Sequence, residues 1–386
     1  MRNALRIAIL AHSTNPRGGV VHALELGDAL TRLGHQATVH APDAKGTGFF
    51  RTTLCGTSCV PASPVGRDVT AMVETRIVDY IRYFERPQNR RFDVWHAQDG
   101  ISGNALATLK ARGLIPAFAR TVHHVDMFDD ARLAALQTRS IAAADCRFAV
   151  SRMWRDWLVR EFGREAHLVG NGVDTNRFSS VPDATDAELR ARLNLPDGAS
   201  MFLAVGGVEE RKNTIRLLAA FRILHAQHPS SCLVIAGGAS LLDHNRYQAR
   251  FALALAQSGL PDGAVICTGT LPQDLMPALY RAAHALVFPS TKEGFGLVVL
   301  EAMASGVPVV TSCMAPFTEY LGDGDALWCN PFEPASISAA MAASFDVRRR
   351  ECLITGGRGI AARHDWTATA HAHIKIYDKL REPIHA

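Results

Sequence analysis

The alternation of short apolar runs with helical stretches constrains the fold of this chain more than any other feature. The runs are rich in β-branched residues and are bounded by Gly or Pro. They form two series, at 5–11, 37–40, 92–96, 118–123 and 146–151, and then at 201–205, 232–236, 264–268, 285–289, 307–311 and 326–329. Continuous apolar strands separated by helices are typical of parallel sheets with both faces covered. We therefore predict an α/β chain with two doubly wound, Rossmann-like domains.

The stretch 171–182 between the two series is rich in turn formers and lacks helical or strand periodicity. Such a stretch is typical of a domain linker, and a length of 386 residues favours two or three domains. We divide the chain into a first domain at 1–175, a second at 176–365 and a final helical segment at 366–386. Two doubly wound domains that face each other leave a cleft at the carboxyl ends of their strands, where we expect a ligand.

The composition excludes several classes of protein. With 48% hydrophobic and 20% charged residues, the chain is globular and not disordered. No window approaches the roughly 18 to 20 apolar residues of a membrane span, and the first apolar run is too short for a signal peptide, so we expect a cytoplasmic protein. The net charge of +4 is too small to indicate nucleic-acid binding. Cys55 and Cys59 have no His or further Cys at metal-binding spacing, so we expect idle thiols.

The positive charge is concentrated in the first half of the chain. Residues 1–180 carry 23 Lys and Arg against 17 Asp and Glu, whereas residues 181–386 carry 18 against 20. One basic group is interleaved with aromatic residues: Arg82, Arg86, Arg90 and Arg91 with Tyr80, Tyr83 and Phe84. This pattern favours a solvated helix face. The alternative is weak peripheral contact with anionic lipid at the inner face of the membrane.

Two glycines, Gly18 and Gly19, follow the first strand and begin a helix that we extend to about Leu33. Glycines at a helix N-terminus let backbone N–H groups approach an anion closely. A tight turn without a ligand is equally consistent with the pattern. Neither G-x-G-x-x-G nor G-x-x-x-x-G-K-[ST] occurs in the chain, which argues against a dinucleotide dehydrogenase and a P-loop enzyme.

A second motif, Arg211 and Lys212, comes shortly after the first strand of the second series and before a helix. Two cations beside a helix N-terminus conflict with the helix dipole, and a bound anion would relieve that conflict. An exposed, solvated basic pair is the alternative.

The third motif carries the strongest functional signal. A strand ending at Pro289 leads into a glycine-containing turn, and a helix begins near Gly296. At ~1.5 Å rise per residue, Glu301 lies within reach of a ligand held at that N-terminus, and Glu293 lies in the preceding loop. The helix around Glu301 is apolar, and burial of an unpaired carboxylate is costly. In a functional site, one acid would hold a ribose and the other a second hydroxylated ring. The alternative is that Glu301 is a surface residue and Glu293 a turn residue.

Weaker candidates follow strands of the first series. His96 and Asp99 end one strand and can contact an acceptor, although a hydrogen bond at the strand end explains them equally well. His124 either contacts a ligand together with its neighbour His123 or points into the sheet.

The order of these motifs resembles the retaining nucleotide-sugar glycosyltransferases of family four, which have the two-domain GT-B fold. Glu293 and Glu301, with seven residues between them, match the E-x7-E motif of that family. The likeness extends over nearly the whole chain, to Arg17-Gly18-Gly19, Thr121-Val122-His123-His124, Asn171-Gly172-Val173-Asp174 with Arg177-Phe178, and the segment at Trp366. In this fold the first domain is on the acceptor side, the second binds the nucleotide sugar and the final helix crosses back to the first.

The resemblance implies a role for each motif. Gly18 and Gly19 would lie against the donor diphosphate, and Arg211 and Lys212 would neutralise it. The segment Gly294, Phe295, Gly296 and Leu297 would bind the donor, with the amides of Phe295 and Gly296 on its oxygens. Glu301 would hold the ribose hydroxyls. Glu293 would hold sugar hydroxyls and help to orient the anomeric carbon, and His123 would lie near the transferred sugar.

One departure from the family concerns Gly207, because many relatives have Arg in that place. The positive charge is then supplied by Arg211 and Lys212. We expect no paired Asp-x-Asp in the cleft to hold a divalent ion, and therefore neither a metal nor any other cofactor. The leading hypothesis is a retaining hexosyltransferase with a nucleotide-sugar donor and an unidentified acceptor. Its alternative is a non-catalytic sensor or scaffold that binds sugar nucleotides with the same fold.

Overall fold

The computed structural model describes residues 4–195, 198–238 and 245–381. Its internal contacts divide it into two compact units. The first unit comprises the described residues up to Asn171 together with those from Trp366 onward, and the second comprises Gly172–Asp365. Across the described parts of the chain, every helix is too short or too polar for a bilayer crossing.

The first unit is built on a parallel sheet, with seven strands among the described residues in the order β3-β2-β1-β4-β5-β6-β7. The strands are β1 (Arg6–Leu10), β2 (Gln36–Asp43), β3 (Gly56–Pro61), β4 (Val94–Ala97), β5 (Ala119–Val122), β6 (Cys146–Ala149) and β7 (His167–Leu168). The helices between them are α1 (Gly18–Arg32), α2 (Val69–Glu85), α3 (Gly100–Ala111), α4 (Ala131–Ala142) and α5 (Arg152–Phe162). The strands β4, β5 and β6 are buried along their whole length.

The second unit repeats this plan, with six described parallel strands in the order β10-β9-β8-β11-β12-β13. They are β8 (Ser200–Val205), β9 (Ser231–Ala236), β10 (Val265–Gly269), β11 (Ala285–Phe288), β12 (Val309–Ser312) and β13 (Leu327–Cys329). The helices are α6 (Thr185–Leu193), α7 (Thr214–Gln227), α8 (Asn245–Ala256), α9 (Met276–Arg281), α10 (Leu297–Ala304), α11 (Pro334–Ala342) and α12 (Val347–Arg363). The predicted fold class of two doubly wound α/β domains is confirmed.

Every predicted run overlaps a strand. Two further strands, β3 and β7, were not predicted. Both lie at the edges of the first sheet. In β3 only Val60 is fully buried, because the other residues of this edge strand are exposed or partly exposed. A strand with one solvated side has no continuous apolar run, and this explains why the pattern was not recognised.

The strand order places two loops of each unit side by side. Order reverses between β1 and β4 in the first sheet and between β8 and β11 in the second. Loops at such a reversal diverge to opposite faces and leave a crevice at the carboxyl ends of the strands. The loops after β8 and β11 carry Arg211, Lys212 and Glu293, and the loops after β1 and β4 lead to Gly18 and Asp99.

The last described helix, α13 (Trp366–Arg381), belongs to the first unit. Its apolar face is buried there through Trp366, Ile374 and Tyr377, of which Tyr377 has no exposed surface. Contacts with α1 are the most extensive that this helix makes. The first unit is therefore assembled from two segments of chain that the whole second unit separates.

Candidate active site

Close backbone contact shapes the turn after β8. Gly206 and Gly207 have φ values of 124° and 74°, which are unfavourable for other residues. A Cβ atom on Gly207 would lie 2.8 Å from the carbonyl oxygen of Gly238, in the turn after β9. The family's Arg therefore cannot stand at Gly207 in this backbone, and the nearby positive charge comes from Arg211 and Lys212.

Hydrogen bonds to backbone carbonyl oxygens hold the turn that carries these two cations against the loop after β11. They lie on a short 3-10 turn, Glu210–Lys212, which ends at Asn213 in the left-handed conformation. The side-chain amide of Asn213 donates to the carbonyl oxygens of Pro289 and Pro331, at 3.1 and 2.5 Å. The N–H of Thr291 donates to the carbonyl oxygen of Arg211 at 2.9 Å. The sequence analysis did not include Asn213, which is buried and fixes the position of this turn.

Four charged side chains meet here, and we call Glu209, Arg211, Lys212 and Glu293 the charged cluster. Lys212 Nζ donates to Glu293 Oε1 at 2.7 Å, and Arg211 Nη1 donates to the same oxygen at 3.0 Å. Arg211 Nε lies 3.1 Å from Glu209 Oε2. Glu209 and Glu293 are both buried, with 1% and 8% of their surface exposed. The cluster contains two positive and two negative groups, so its formal charges balance.

Burial also changes the chemistry of Lys212. It lowers the pKa of this ammonium group from 10.5 to about 8, although Glu293 acts in the opposite direction. The Nζ atom also lies 4.2 Å from the centre of the Phe288 ring. A cation over an aromatic face is stabilised without a counter-ion. Lys212 is thus a cation whose charge depends on what binds beside it.

The helix α10 begins beside this ring. Gly296 precedes α10 with a φ of 94°, and a Cβ atom there would lie 2.7 Å from the Phe317 ring and 3.6 Å from the Phe288 ring. Lys212 and the residue that precedes α10 therefore both lie beside the Phe288 ring. No side chain caps the described first turn of α10, and uncapped N-terminal amides of a helix attract anions.

Phe295 and Glu301 are held by tyrosines that the sequence analysis did not include. The ring of Phe295 stacks on Tyr320 at 4.6 Å between ring centres. Tyr280 donates its hydroxyl to Glu301 Oε2 at 2.5 Å. Burial, reinforced by Glu301, raises the pKa of Tyr280 well above its ordinary value, so the hydroxyl stays a donor. Tyr280 is on α9, and no local pattern links it to Glu301.

In the first unit, Gly19 and His123 are neighbours. A Cβ atom on Gly19 would lie 3.5 Å from Cδ2 and 3.6 Å from Nε2 of His123. His123 follows β5, and its Nε2 lies 2.9 Å from Oε1 of Gln98, which follows β4. Gln98 is 2% exposed and was also absent from the sequence analysis.

Further histidines surround this pair, and we call His22, His96, His123 and His373 the histidine cluster. The ring of His22 contacts the rings of His123 and His373 edge-on, at 4.8 and 6.0 Å between centres. Its Nδ1 lies 2.7 Å from Oδ1 of Asn171. Burial lowers the pKa of His22 to about 4 and that of His373 to about 3. It holds the pKa of His96 and His123 well below the ordinary value as well.

The three weaker candidates occupy different positions. His96 has no exposed surface; its Nε2 lies 2.7 Å from the Thr121 hydroxyl and its Nδ1 lies 2.7 Å from the Tyr377 hydroxyl. Asp99 caps α3 by accepting from the N–H of Ser102 at 2.8 Å. His124 is partly exposed, with Nε2 at 3.4 Å from Asp126 Oδ1. Both nitrogens of His96 are thus engaged inside the fold.

The remaining groups singled out in the sequence have structural surroundings. Cys55 is buried, Cys59 is exposed and both are free thiols. Of the aromatic residues interleaved with the arginines, Tyr80 and Phe84 are fully buried in the core and the Tyr83 hydroxyl contacts Ser58. In the described residues, no group of three or more His, Cys, Asp or Glu side chains has the geometry of a metal site.

Two family models match the chain in sequence. The model "Glycosyltransferase Family 4" matches residues 16–177, and the model "Glycosyl transferases group 1" matches residues 185–350. Over 311 residues the chain is 31% identical to a D-inositol 3-phosphate glycosyltransferase of Acidothermus cellulolyticus, covering 75% of this chain and 68% of that protein. The chain belongs to the family-four glycosyltransferases. The predicted family membership and the prediction of an enzyme are thereby confirmed.

Solved structures share the fold of this glycosyltransferase. A sucrose-phosphate synthase from Thermosynechococcus elongatus aligns with a TM-score of 0.79 at 22% identity, over 97% of this chain and 99% of that one. HepE from Anabaena, in complex with UDP and glucose, aligns with a TM-score of 0.78 at 16% identity, over 97% and 100% of the two chains. These likenesses establish the GT-B fold of the glycosyltransferase.

Proposed function

We propose that this glycosyltransferase takes its sugar from a nucleoside-diphosphate-sugar donor and transfers it, with retention of anomeric configuration, to an acceptor hydroxyl. The second unit binds the donor, with the diphosphate between the charged cluster and the N-terminus of α10. One observation carries the proposal: Lys212 Nζ lies 4.2 Å from the centre of the Phe288 ring, and a Cβ atom on Gly296, just before α10, would lie 3.6 Å from the same ring, so a cation and uncapped helix amides are close together. HepE, which shares the fold, binds UDP and glucose.

Glu293 and the diphosphate use the same two cations in this proposal. Both Arg211 and Lys212 reach Glu293 Oε1, at 3.0 and 2.7 Å. Phosphate oxygens accept hydrogen bonds from the same donors, and an anion beside Lys212 raises its pKa again. As the diphosphate takes up these donors, the Glu293 carboxylate becomes able to accept from sugar hydroxyls. Before the donor binds, Glu293 is the carboxylate paired with both cations, and in the complex the diphosphate takes that place.

Transfer breaks the bond between the anomeric carbon and a diphosphate oxygen. The electron pair goes to the leaving phosphate, where Arg211, Lys212 and the amides of Phe295 and Gly296 stabilise the growing charge. A bond to the acceptor oxygen forms on the same face, and the acceptor proton passes to the leaving phosphate. Glu301, oriented by Tyr280, holds the ribose hydroxyls. Gly294 and Leu297 complete the donor-binding segment.

Roles for the first unit come from the family resemblance and are part of the proposal. Gly18 and Gly19 approach the donor diphosphate, and His123 contacts the transferred sugar. Asp99 and His124 contact the acceptor. No metal is required, because the cations and amides supply the positive charge; excess chelator should leave turnover unchanged. Cytoplasmic location and weak peripheral membrane contact stay predictions.

A donor screen tests the proposed function. The purified protein is mixed separately with UDP-, GDP- and ADP-sugars, and slow donor hydrolysis is followed by NMR, which also reports the anomeric configuration of the first sugar released. We expect one nucleotide to be preferred and the α configuration of an α-linked donor to be retained. An inverted product would contradict retention. Tight nucleotide binding without hydrolysis or transfer would favour the sensor alternative.

A further inference from the structure

We propose that Gln98 is the positioning residue of His123, and that it holds the imidazole as the neutral tautomer with the proton on Nε2. This inference rests on the proposed role of His123 at the transferred sugar. Gln98 touches neither the donor nor the acceptor in the proposed reaction.

The contact of the two side chains defines the tautomer. Gln98 Oε1 lies 2.9 Å from His123 Nε2, and an amide oxygen can only accept. Nε2 must therefore carry the proton. Burial, together with His22, Arg120, His124 and His96, holds the pKa of His123 well below its ordinary value, so the ring is neutral near neutral pH. The second nitrogen, Nδ1, then has a lone pair and can accept a hydrogen bond from a hydroxyl group.

The packing of the ring shows which nitrogen faces away from Gly19 and Gln98. The edge of His123 that bears Cδ2 and Nε2 faces Gly19, where a Cβ atom would lie 3.5 and 3.6 Å from these atoms. Gln98 also lies on this edge. Nδ1 is on the opposite edge of the ring and is the nitrogen left for a ligand. The small size of Gly19 lets the backbone of α1 come close to the ring.

A second layer of contacts fixes Gln98. Its backbone N–H donates to the carbonyl oxygen of Leu10 at 2.9 Å, which ties β4 to β1. Its side-chain nitrogen lies 3.4 and 3.5 Å from the ring nitrogens of His96, at the outer limit of a hydrogen bond. Thr121 and Tyr377 occupy those nitrogens at 2.7 Å. These two hydrogen bonds fix the ring of His96, and the side-chain amide of Gln98 packs against that ring.

The Tyr377 hydroxyl belongs to α13, so this layer joins the last helix to His123. The order is Tyr377, His96, Gln98 and His123, and every member except His123 is at least nine-tenths buried. His96 therefore acts on the reaction through Gln98. Burial of this polar network favours one arrangement, because alternatives leave buried donors or acceptors unpaired.

Histidine NMR on the full-length protein tests the tautomer without reference to activity. Two-bond proton–nitrogen correlations distinguish the Nε2–H and Nδ1–H forms, and comparison with His123→Gln assigns the signal. We expect His123 to be the Nε2–H form throughout the neutral pH range. In Gln98→Met, which keeps the size but cannot accept the hydrogen bond, we expect a mixture of both forms. An Nδ1–H form in the unmodified protein would overturn the proposal.

Gln98→Glu tests the contact through the pKa of His123, which should not change if Gln98 has a purely structural role. A carboxylate beside Nε2 favours the imidazolium, so the pKa of His123 should rise by about 1 to 3 units. Gln36→Glu, the same substitution at an exposed position of β2, is the matched control and should leave the His123 signal unchanged. If Gln98→Glu fails to fold, Gln98→Met alone decides the outcome. An unchanged His123 tautomer in Gln98→Met would also overturn the proposal.

Kinetics then separate this proposal from the proposed function. We expect Gln98→Met to lower kcat about 10-fold to 100-fold, because a displaced contact group loses its orientation in the transition state. If the tautomer is as proposed but His123→Ala and Gln98→Met both retain full kcat, the role of His123 at the sugar is wrong while the positioning contact stands. Full kcat in Gln98→Met with a large loss in His123→Ala would refute positioning by Gln98.

Discussion

The charged cluster and the histidine cluster stabilise polar side chains in opposite ways. In the second unit, carboxylates, a guanidinium and an ammonium group pair at 2.7 to 3.1 Å, so burial is compensated by opposite charge. In the first unit, burial keeps the imidazoles neutral, and their rings contact each other edge-on or at a tilt. The first arrangement suits a ligand with charge, and the second suits a neutral, hydroxyl-rich ligand.

The comparison has an electrostatic consequence. Paired ions respond to any anion that competes for the cations, whereas neutral imidazoles respond to protons. A protonated imidazole in the histidine cluster would be a buried charge beside other histidines, with no carboxylate among its members. The two regions should therefore lose their structure or function under different conditions, and each of the following experiments acts on one of the two units.

Acid should produce the largest effect, on the first unit. His22, His40 and His373 have pKa values of about 4, 3 and 3, against 6.5 in the unfolded chain. Between those values the unfolded chain binds more protons than the folded one, so stability is lost as pH falls below 6.5. The free energy of unfolding should decrease by about 1.4 kcal/mol per pH unit for each histidine. Urea titrations followed by tryptophan fluorescence measure this free energy. A Trp328→Phe background restricts the signal to the first unit, because the other four tryptophans belong to it.

The matched pair for this experiment lies on α13. His373→Asn removes a buried histidine and should reduce the dependence of unfolding free energy on pH, whereas His371→Asn changes an exposed one and should not. Equal slopes in both variants would mean that burial of neutral imidazole does not control the acid sensitivity of this unit.

Removal of both cations of the charged cluster should have the next largest effect. Interactions that strengthen in the transition state lower turnover more than they weaken donor binding. Arg211→Ala combined with Lys212→Ala should therefore reduce kcat by about 10²-fold or more. Arg222→Ala, which removes an exposed cation from α7, is the control and should retain normal turnover. A rise in KM with unchanged kcat would show that the pair only binds substrate.

Loss of the Glu301 carboxylate should weaken nucleotide binding. Charge-assisted hydrogen bonds to two ribose hydroxyls are worth about 1.5 to 3 kcal/mol, so Glu301→Ala should raise the Kd of the nucleoside diphosphate about 10-fold to 150-fold. Calorimetry measures this directly. Tyr280→Phe keeps the carboxylate but removes its donor, and should have a smaller effect. Glu351→Gln, an exposed acid of α12, is the neutral control; an unchanged Kd in folded Glu301→Ala contradicts the ribose role.

Alkaline pH should have the smallest effect, through Lys212. Its pKa of about 8 means that the ammonium is charged below this pH and loses its proton above it. Nucleotide affinity should therefore fall as pH rises beyond about 8, by up to tenfold per pH unit. Lys212→Arg keeps its charge and should abolish this dependence. The same pH dependence in Lys212→Arg would assign the titration to another group.

Much of the fold could be predicted from the sequence, because buried parallel strands are continuous apolar runs. The pattern disappears at β3, where most side chains face solvent. The separate motifs around Arg211, Lys212 and Glu293 indicated three charged residues at strand ends, and the structure brings them into contact.

Their supporting residues could not be predicted in this way. Tyr280 precedes Glu301 by 21 residues, and Tyr377 follows His96 by 281. Periodicity reports which face of an element is buried, but not which distant element covers it. Gln98 likewise has no pattern of its own, because its role depends on the separation of two strand ends in space. The supporting contacts are products of tertiary packing and not of local sequence.

The division of the first unit into two chain segments has a consequence for synthesis on the ribosome. Tyr377 can reach His96 only after the entire second unit has emerged. Until then, the surface of the first unit that α13 covers stays exposed. During that interval the face around His22 and His96 is accessible to chaperones and to proteases. The second unit, continuous in the chain, has no such delay. A chain that ends just before Trp366 and is released from the ribosome in cell-free translation should therefore contain a protease-resistant second unit and a first unit that is readily cleaved.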